Sequence, residues 1–270
     1  MKAPVAVVRR AILSLCLSLS LMAAVAAQAQ NKGAPLGHPP TIVLVHGAWG
    51  GSWAFRRVDE LLTTHGFKIY RPQLTGEGER VHLARPDIGL ETHIQDVVNT
   101  ILYEDLHDIV LVGHSYGGMV ITGVADRVPD RIRRLVYLDA FIPRDGESMM
   151  GLVGTRGADL SAMSKDGYIV PKWVGANEPP PHDEPQSLKT ITDAIVLKNP
   201  AARALDATYI LTVEQGTRPE NDEFYPQSLR AKANGWPVLT LTANHNAQWS
   251  APEALAAMLA EVARAPAHKQ

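Results

Sequence analysis

The stretch from Asp108 to Val120, DIVLVGHSYGGMV, constrains this chain more than any other. An apolar, β-branched run leads into a serine flanked by glycines and then into an apolar helix start. A run without polar alternation is expected of a strand buried on both faces. The chain must then turn from strand to helix within a few residues. Gly113 and Gly117 carry no Cβ, so the backbone on either side of Ser115 can approach neighbouring segments closely. Ser115 is set at the apex of a strand–turn–helix unit, over the N-terminal end of the helix. That is the G-x-S-x-G nucleophile-elbow pattern.

The rest of the chain supplies a matching framework. Thr41 to Val45 (TIVLV) is a second buried-strand run, and it ends in His46-Gly47-Ala48-Trp49-Gly50-Gly51. Helical spacing follows in Trp53, Val58, Leu61 and Leu62, then a short strand at Lys68 to Tyr70. A further helix is expected over Leu90 to Leu106, with Ile94, Val97, Val98 and Ile101 on one face. After the elbow come a helix to about Val128 and a strand at Arg134 to Asp139. Strands return at Ala207 to Glu214 and Pro237 to Thr242, with a helix near Phe224 to Ala233 between them. Ser250, with Glu253 three residues on, is expected to open the last helix as a capping box. Alternating strands and helices predict an α/β fold with a mostly parallel sheet covered by helices on both faces. Residues 144–205 break the pattern, with scattered glycines and the run Glu178-Pro-Pro-Pro181. This segment is expected to be an inserted, mainly helical cap between two parts of the core, 30–143 and 206–270.

Residues 1–29 are expected to leave the protein. Lys2, Arg9 and Arg10 precede an apolar stretch from Ala11 to Ala26, and Ala27-Gln28-Ala29 forms a small-residue cleavage site. This predicts a secretory signal peptide, hence an exported, periplasmic or secreted protein with no stable membrane anchor after cleavage. Cleavage removes three basic residues and no acidic one, moving the formal charge from −2 to −5. It also removes Cys16, the only cysteine, so disulfides, a cysteine nucleophile and cysteine metal sites are excluded. The mild negative charge argues against a nucleic-acid partner.

A serine hydroxyl needs a base within hydrogen-bond reach and a third group to orient that base. Of the ten histidines, His46, His114 and His245 stand at C-terminal ends of expected strands, where open α/β sheets place ligands. His114 adjoins Ser115, so its side chain is expected to point elsewhere. His46 is expected to support its own loop. His245 follows the serine in the order serine–acid–histidine and is the expected base. The remaining histidines, His93 among them, are expected to be solvated. Negative charge developing on an attacked carbonyl oxygen needs fixed N–H donors. The backbone of Tyr116, after the serine, is one candidate and that of Ala48, in the first Gly-rich loop, is the other. Asp139 and Glu214 each end a strand between Ser115 and His245, and either is a candidate acid.

With these motifs assembled, the chain resembles the α/β-hydrolase superfamily, and within it the small esterases related to plant methylesterases and hydroxynitrile lyases. The carriers are TIVLVHGAWGGSWAF, TGEGER, DIVLVGHSYGGMV, LVYLDAFIP and ANHNAQWSAP. The resemblance implies a serine hydrolase that cleaves a small or medium carboxylic ester through an acyl-enzyme, without cofactor or metal. In the plant members the acid follows the strand corresponding to YILTV, but the matching position here is Gln215. Glu214 is one residue early, which reverses its side-chain direction in a strand. Other members carry the acid after the preceding strand, in a segment similar to VYLDA, so the resemblance favours Asp139, with Glu214 as the alternative. Asn246 stands where hydroxynitrile lyases have a lysine, which argues against cyanohydrin cleavage, and Ser115 excludes the carboxylate nucleophile of haloalkane dehalogenases. A lactonase or amidase with the same triad, or a non-catalytic ligand-binding protein on this scaffold, is the alternative function. Trp49, Trp53, Phe141 and Trp173 are candidates for lining the substrate pocket.

Overall fold

The structure is a computed structural model that describes residues 39–154 and 157–266. The expected signal peptide, with its cleavage site and Cys16, lies outside the described residues. None of the described helices is long and apolar enough to cross a membrane.

The chain begins with β1 (Ile42–Val45), a 3-10 turn and α1 (Arg56–Thr64), then β2 (Ile69–Tyr70) and α2 (Leu90–Tyr103). The elbow joins β3 (Ile109–His114) to α3 (Gly117–Arg127), and β4 (Ile132–Leu138) follows. Next come short elements: α4 (Met149–Leu152), α5 (Gly157–Ala162), β5 (Ser164–Lys165), β6 (Tyr168–Ile169), β7 (Gln186–Ser187) and α6 (Leu188–Thr192). The core resumes with β8 (Asp206–Val213), α7 (Tyr225–Ala233), β9 (Val238–Thr242), α8 (Ala247–Ser250) and α9 (Pro252–Arg264).

Six strands form one sheet in the order β2-β1-β3-β4-β8-β9, and every neighbouring pair is parallel. Its period of two explains the unbroken apolar runs. Val43, Val45, Ile109 and Leu111 join one core with the buried face of α2 and with α3. Ile42, Leu44, Val110 and Val112 join a second core with α1 and α9. Both faces are covered, so each residue of β1 and β3 is buried. The order of strands reverses between β1 and β3. That places the loops after these two strands at the switch point, where ligands bind in open α/β sheets.

Two expectations need correction. The segment between β4 and β8, expected to be mainly helical, also holds a three-stranded antiparallel sheet in the order β5-β6-β7. Its two-residue strands are too short to show an alternating pattern in sequence. Ser250 does not cap the last helix. It ends α8, its hydroxyl donating to the Asn246 carbonyl at 3.3 Å, while α9 starts at Pro252. Proline's fixed φ suits the first helical position without a capping side chain. Glu253 instead accepts from Arg57 at 3.1 Å.

β4, β8 and the end of α9 are tied by one buried cation. Arg134, 1% exposed, donates to Asp206 through Nε at 2.8 Å and also to the Val262 and Pro266 carbonyls. Replacing Arg134 by Met should cost about 3–5 kcal/mol, because it strands a buried carboxylate and two carbonyls. Equilibrium urea unfolding of wild type and variant checks this, and a loss below about 1 kcal/mol would contradict it.

Candidate active site

Ser115 has φ of +55°, in the left-handed region that side chains other than glycine rarely adopt. Its surroundings hold it there. A Cβ on Gly113 would meet the Gly117 carbonyl oxygen at 2.6 Å, and one on Gly117 would meet the Val45 and His46 carbonyls at 2.8 Å. The Ser115 N–H donates to Leu138 at 3.2 Å, and its carbonyl accepts from Phe141 at 3.2 Å. The elbow is thus clasped between β1 and the chain leaving β4. Asp139, directly after β4, is also left-handed (φ +43°), as is Trp49 (φ +63°) in the loop after β1.

Asp139 and His245 meet. Oδ2 of Asp139 lies 2.7 Å from Nδ1 of His245, and Oδ1 accepts the Thr212 N–H at 3.0 Å. Burial raises the Asp139 carboxyl to about 7, against the Thr212 hydrogen bonds that lower it. A hydrogen-bonded imidazolium at His245 offsets that burial penalty. Glu214 is exposed at the end of β8, and its carbonyl accepts from Thr217 in a turn. The structure therefore brings Asp139, not Glu214, to His245. Phe224, unrecognised in the sequence as a site residue, stacks on His245 with centroids 4.7 Å apart and planes 6° from parallel. Its only signal was an aromatic at a helix start.

The other histidines divide by burial. His114 engages the loop after β9, away from a role as base to Ser115: its Nε2 donates to the His245 carbonyl at 2.9 Å, and the two rings lie 4.6 Å apart. Burial lowers its pKa to about 3, so it is a neutral prop beneath the loop carrying His245. His46 supports its loop as expected, with Nδ1 donating to the Gly47 carbonyl at 2.9 Å and Nε2 accepting the Leu74 N–H at 3.3 Å. His93 is buried rather than solvated. Its Nδ1 accepts from the Tyr116 hydroxyl at 3.0 Å and its Nε2 donates to the Thr75 carbonyl at 3.0 Å. This link fixes the side chain of the residue after Ser115. A helical face with one histidine gave no sign of it.

Ala48 and Tyr116 sit on either side of the serine. The Gly47 backbone comes so near that a Cβ there would lie 3.1 Å from that of Ser115. The N–H after Ala48, from Trp49, is taken by Gln186 Oε1 at 2.8 Å, so it is not a donor for the oxyanion. Tyr116 is the N-cap residue of α3, at the end of the helix where N–H groups have no intrahelical acceptor. Two cavities meet at Trp49, Ser115 and His245. One, about 360 Å³, reaches Trp173, Asp183 and Trp249; the other, about 220 Å³, is walled by Phe141, Met149, Leu160 and Phe224. Trp53 lines neither and stacks on Trp249 at 5.4 Å.

The fold agrees with comparisons to known proteins. Residues 42–258 match the model of the alpha/beta hydrolase family, and the chain belongs to that family. It is 37% identical over 238 residues to a carbendazim hydrolyzing esterase of Nocardioides sp. (strain SG-4G), covering 81% of this chain and 97% of that one. It is 30% identical over 129 residues to methylesterase 2 of Arabidopsis thaliana, covering 47% and 48%. An extracellular alpha/beta-hydrolase of a Paenibacillus species has the same fold, with a TM-score of 0.71 at 22% identity over 84% of this chain and all of that one.

Two predictions follow from the strain and the burial. Ser115→Gly relieves the left-handed backbone and should stabilise the fold by roughly 1 kcal/mol, read by urea unfolding, while removing the hydroxyl; a loss of stability would show that no strain is stored there. For the pair to act as base and orienting acid, the histidine must be neutral and the acid ionised. The rate of ester cleavage at low substrate should therefore rise with pH through about 7 and then level, the midpoint belonging to the Asp139–His245 pair. A flat profile from pH 5 to 9 would count against it.

Proposed function

We propose that this protein is a serine esterase that cleaves small or medium carboxylic esters through an acyl-enzyme. The single observation that carries this reading is the 2.7 Å contact between buried Asp139 and His245, on a cavity that Ser115 also lines. Ser115 Oγ attacks the ester carbonyl while His245 Nε2 takes its proton. Asp139 holds the ring through Nδ1 and stabilises the imidazolium. The Ala48 and Tyr116 N–H groups receive the oxyanion. His245 then returns the proton to the departing alkoxide, and water repeats the sequence on the acyl-enzyme. The similarity to a carbendazim hydrolyzing esterase and to methylesterase 2 supports ester cleavage as the reaction class.

The test is direct. A fluorophosphonate should label wild type at Ser115 and leave Ser115→Ala unlabelled. Against a panel of aryl and alkyl esters, Asp139→Asn should lower turnover by about 10⁴-fold, as loss of the orienting acid does in such triads, while Glu214→Gln stays within about threefold of wild type. An unlabelled Ser115 would favour a ligand-binding protein on this scaffold. Collapse of turnover in Glu214→Gln alone would overturn the acid assignment.

A further inference from the structure

The larger of the two cavities at Ser115 has an unusual wall. Trp49 and Trp173 meet edge to face, centroids 5.2 Å apart and planes at 89°, forming a right-angled aromatic corner. The indole N–H of Trp173 donates to Asp183 Oδ2 at 2.8 Å, which fixes both the ring and the carboxylate. Trp249 completes the wall, one of its faces backed by Trp53 at 5.4 Å and 11°. Trp173 and Trp249 remain 56% and 48% exposed. Large apolar side chains left this open, grouped on one concave surface, mark a place where something binds.

Among the described residues, the ionisable side chains lining this cavity are Asp183 and the histidines His46, His114 and His245. Asp183 lines the cavity, and among the described residues no lysine or arginine does. His46 and His114, which also line it, are lowered by burial to about 4 and about 3, so they are neutral at neutral pH. Indole faces attract cations through the ring quadrupole, most strongly where water is partly excluded. A fixed carboxylate beside them adds a coulombic attraction, and burial of Asp183 raises its own cost of ionisation until a cation sits next to it. A cavity of about 360 Å³ holds a group the size of trimethylammonium together with its linker.

We propose that the Trp49–Trp173–Trp249 corner with Asp183 is a cation subsite, and that the enzyme prefers esters in which one half carries a quaternary or protonated amine. This assignment takes its reaction from the esterase reading, but its binding part stands without turnover. Anionic esters meet the Asp183 carboxylate with no compensating cation and are disfavoured.

The test uses two isosteric esters, butyrylcholine and 3,3-dimethylbutyl butyrate, which differ only in a charged nitrogen against a neutral carbon. Binding to the full-length Ser115→Ala protein is followed by tryptophan fluorescence and isothermal titration. The cationic ester should bind roughly tenfold more tightly. Asp183→Asn and Trp173→Ala, each in the Ser115→Ala background, should cut that ratio to below about threefold, and Trp173→Phe should retain part of it. Equal or weaker binding of the cationic ester, or a preference that survives both substitutions, overturns the subsite. Hydrolysis of the two esters by wild type is read separately. A binding preference without any turnover would count against the esterase reading alone, and turnover of both esters without preference would count against the subsite alone.

Discussion

The architecture depends on one constraint, the left-handed backbone at Ser115. A serine at φ +55° is not a conformation that the local sequence prefers. It persists because the elements around it leave no alternative. Gly117 lies so near the β1 carbonyls that only glycine fits, and the Ser115 carbonyl is bound by the chain leaving β4. Parallel pairing of β3 with both β1 and β4 therefore precedes the site in the causal order. The double-faced core that buries these strands supplies the free energy that offsets roughly 1–3 kcal/mol of strain at each such residue. Asp139, directly after β4, and Trp49, in the loop after β1, are also left-handed.

Burial then sets the electrostatics. His46, His93 and His114 are neutral because desolvation outweighs their hydrogen bonds. They act as fixed donors and acceptors that set the positions of two loops and of Tyr116. The same desolvation raises Asp139, and there it has a different consequence. A carboxylate that is costly to ionise alone is stabilised most when its partner becomes positive, which is the state His245 reaches as Ser115 gives up its proton. In the proposed mechanism Asp139 thus favours the charged intermediate over the resting pair. Glu214, in water, would gain far less from the same contact.

Much of this was legible in the sequence, and the rest was not for physical reasons. Continuous apolar runs identified β1, β3, β4 and β8, because strands buried on both faces cannot alternate. The glycines at Gly113 and Gly117 marked the elbow because no other residue fits there. The switch between Asp139 and Glu214 was legible as a question of strand parity. What escaped were groups whose roles depend on contacts far apart in the chain. His93 looked like a surface histidine, since nothing nearby in sequence announces the Tyr116 hydroxyl. Phe224 lies 21 positions before the imidazole it stacks against. The β5–β6–β7 sheet was invisible because two-residue strands carry no period.

The least readable segment is also the one that holds the loop proposed to meet the oxyanion. Gln186 on β7 accepts the Trp49 N–H, the Trp49 carbonyl accepts the Glu184 N–H, and the Trp49 indole donates to Ile169 on β6. Trp49 follows Ala48 directly, so the backbone expected to meet the oxyanion is clasped from the inserted segment rather than from the sheet alone. Trp173 and Asp183 belong to that same segment. A group bound against the aromatic wall therefore presses on the residues that fix the donor N–H. On these proposals, recognition of the substrate and preorganisation of its transition state share one set of contacts. In the proposed mechanism the sheet holds the nucleophile, acid and base, whereas the insertion holds the loop offered to the oxyanion.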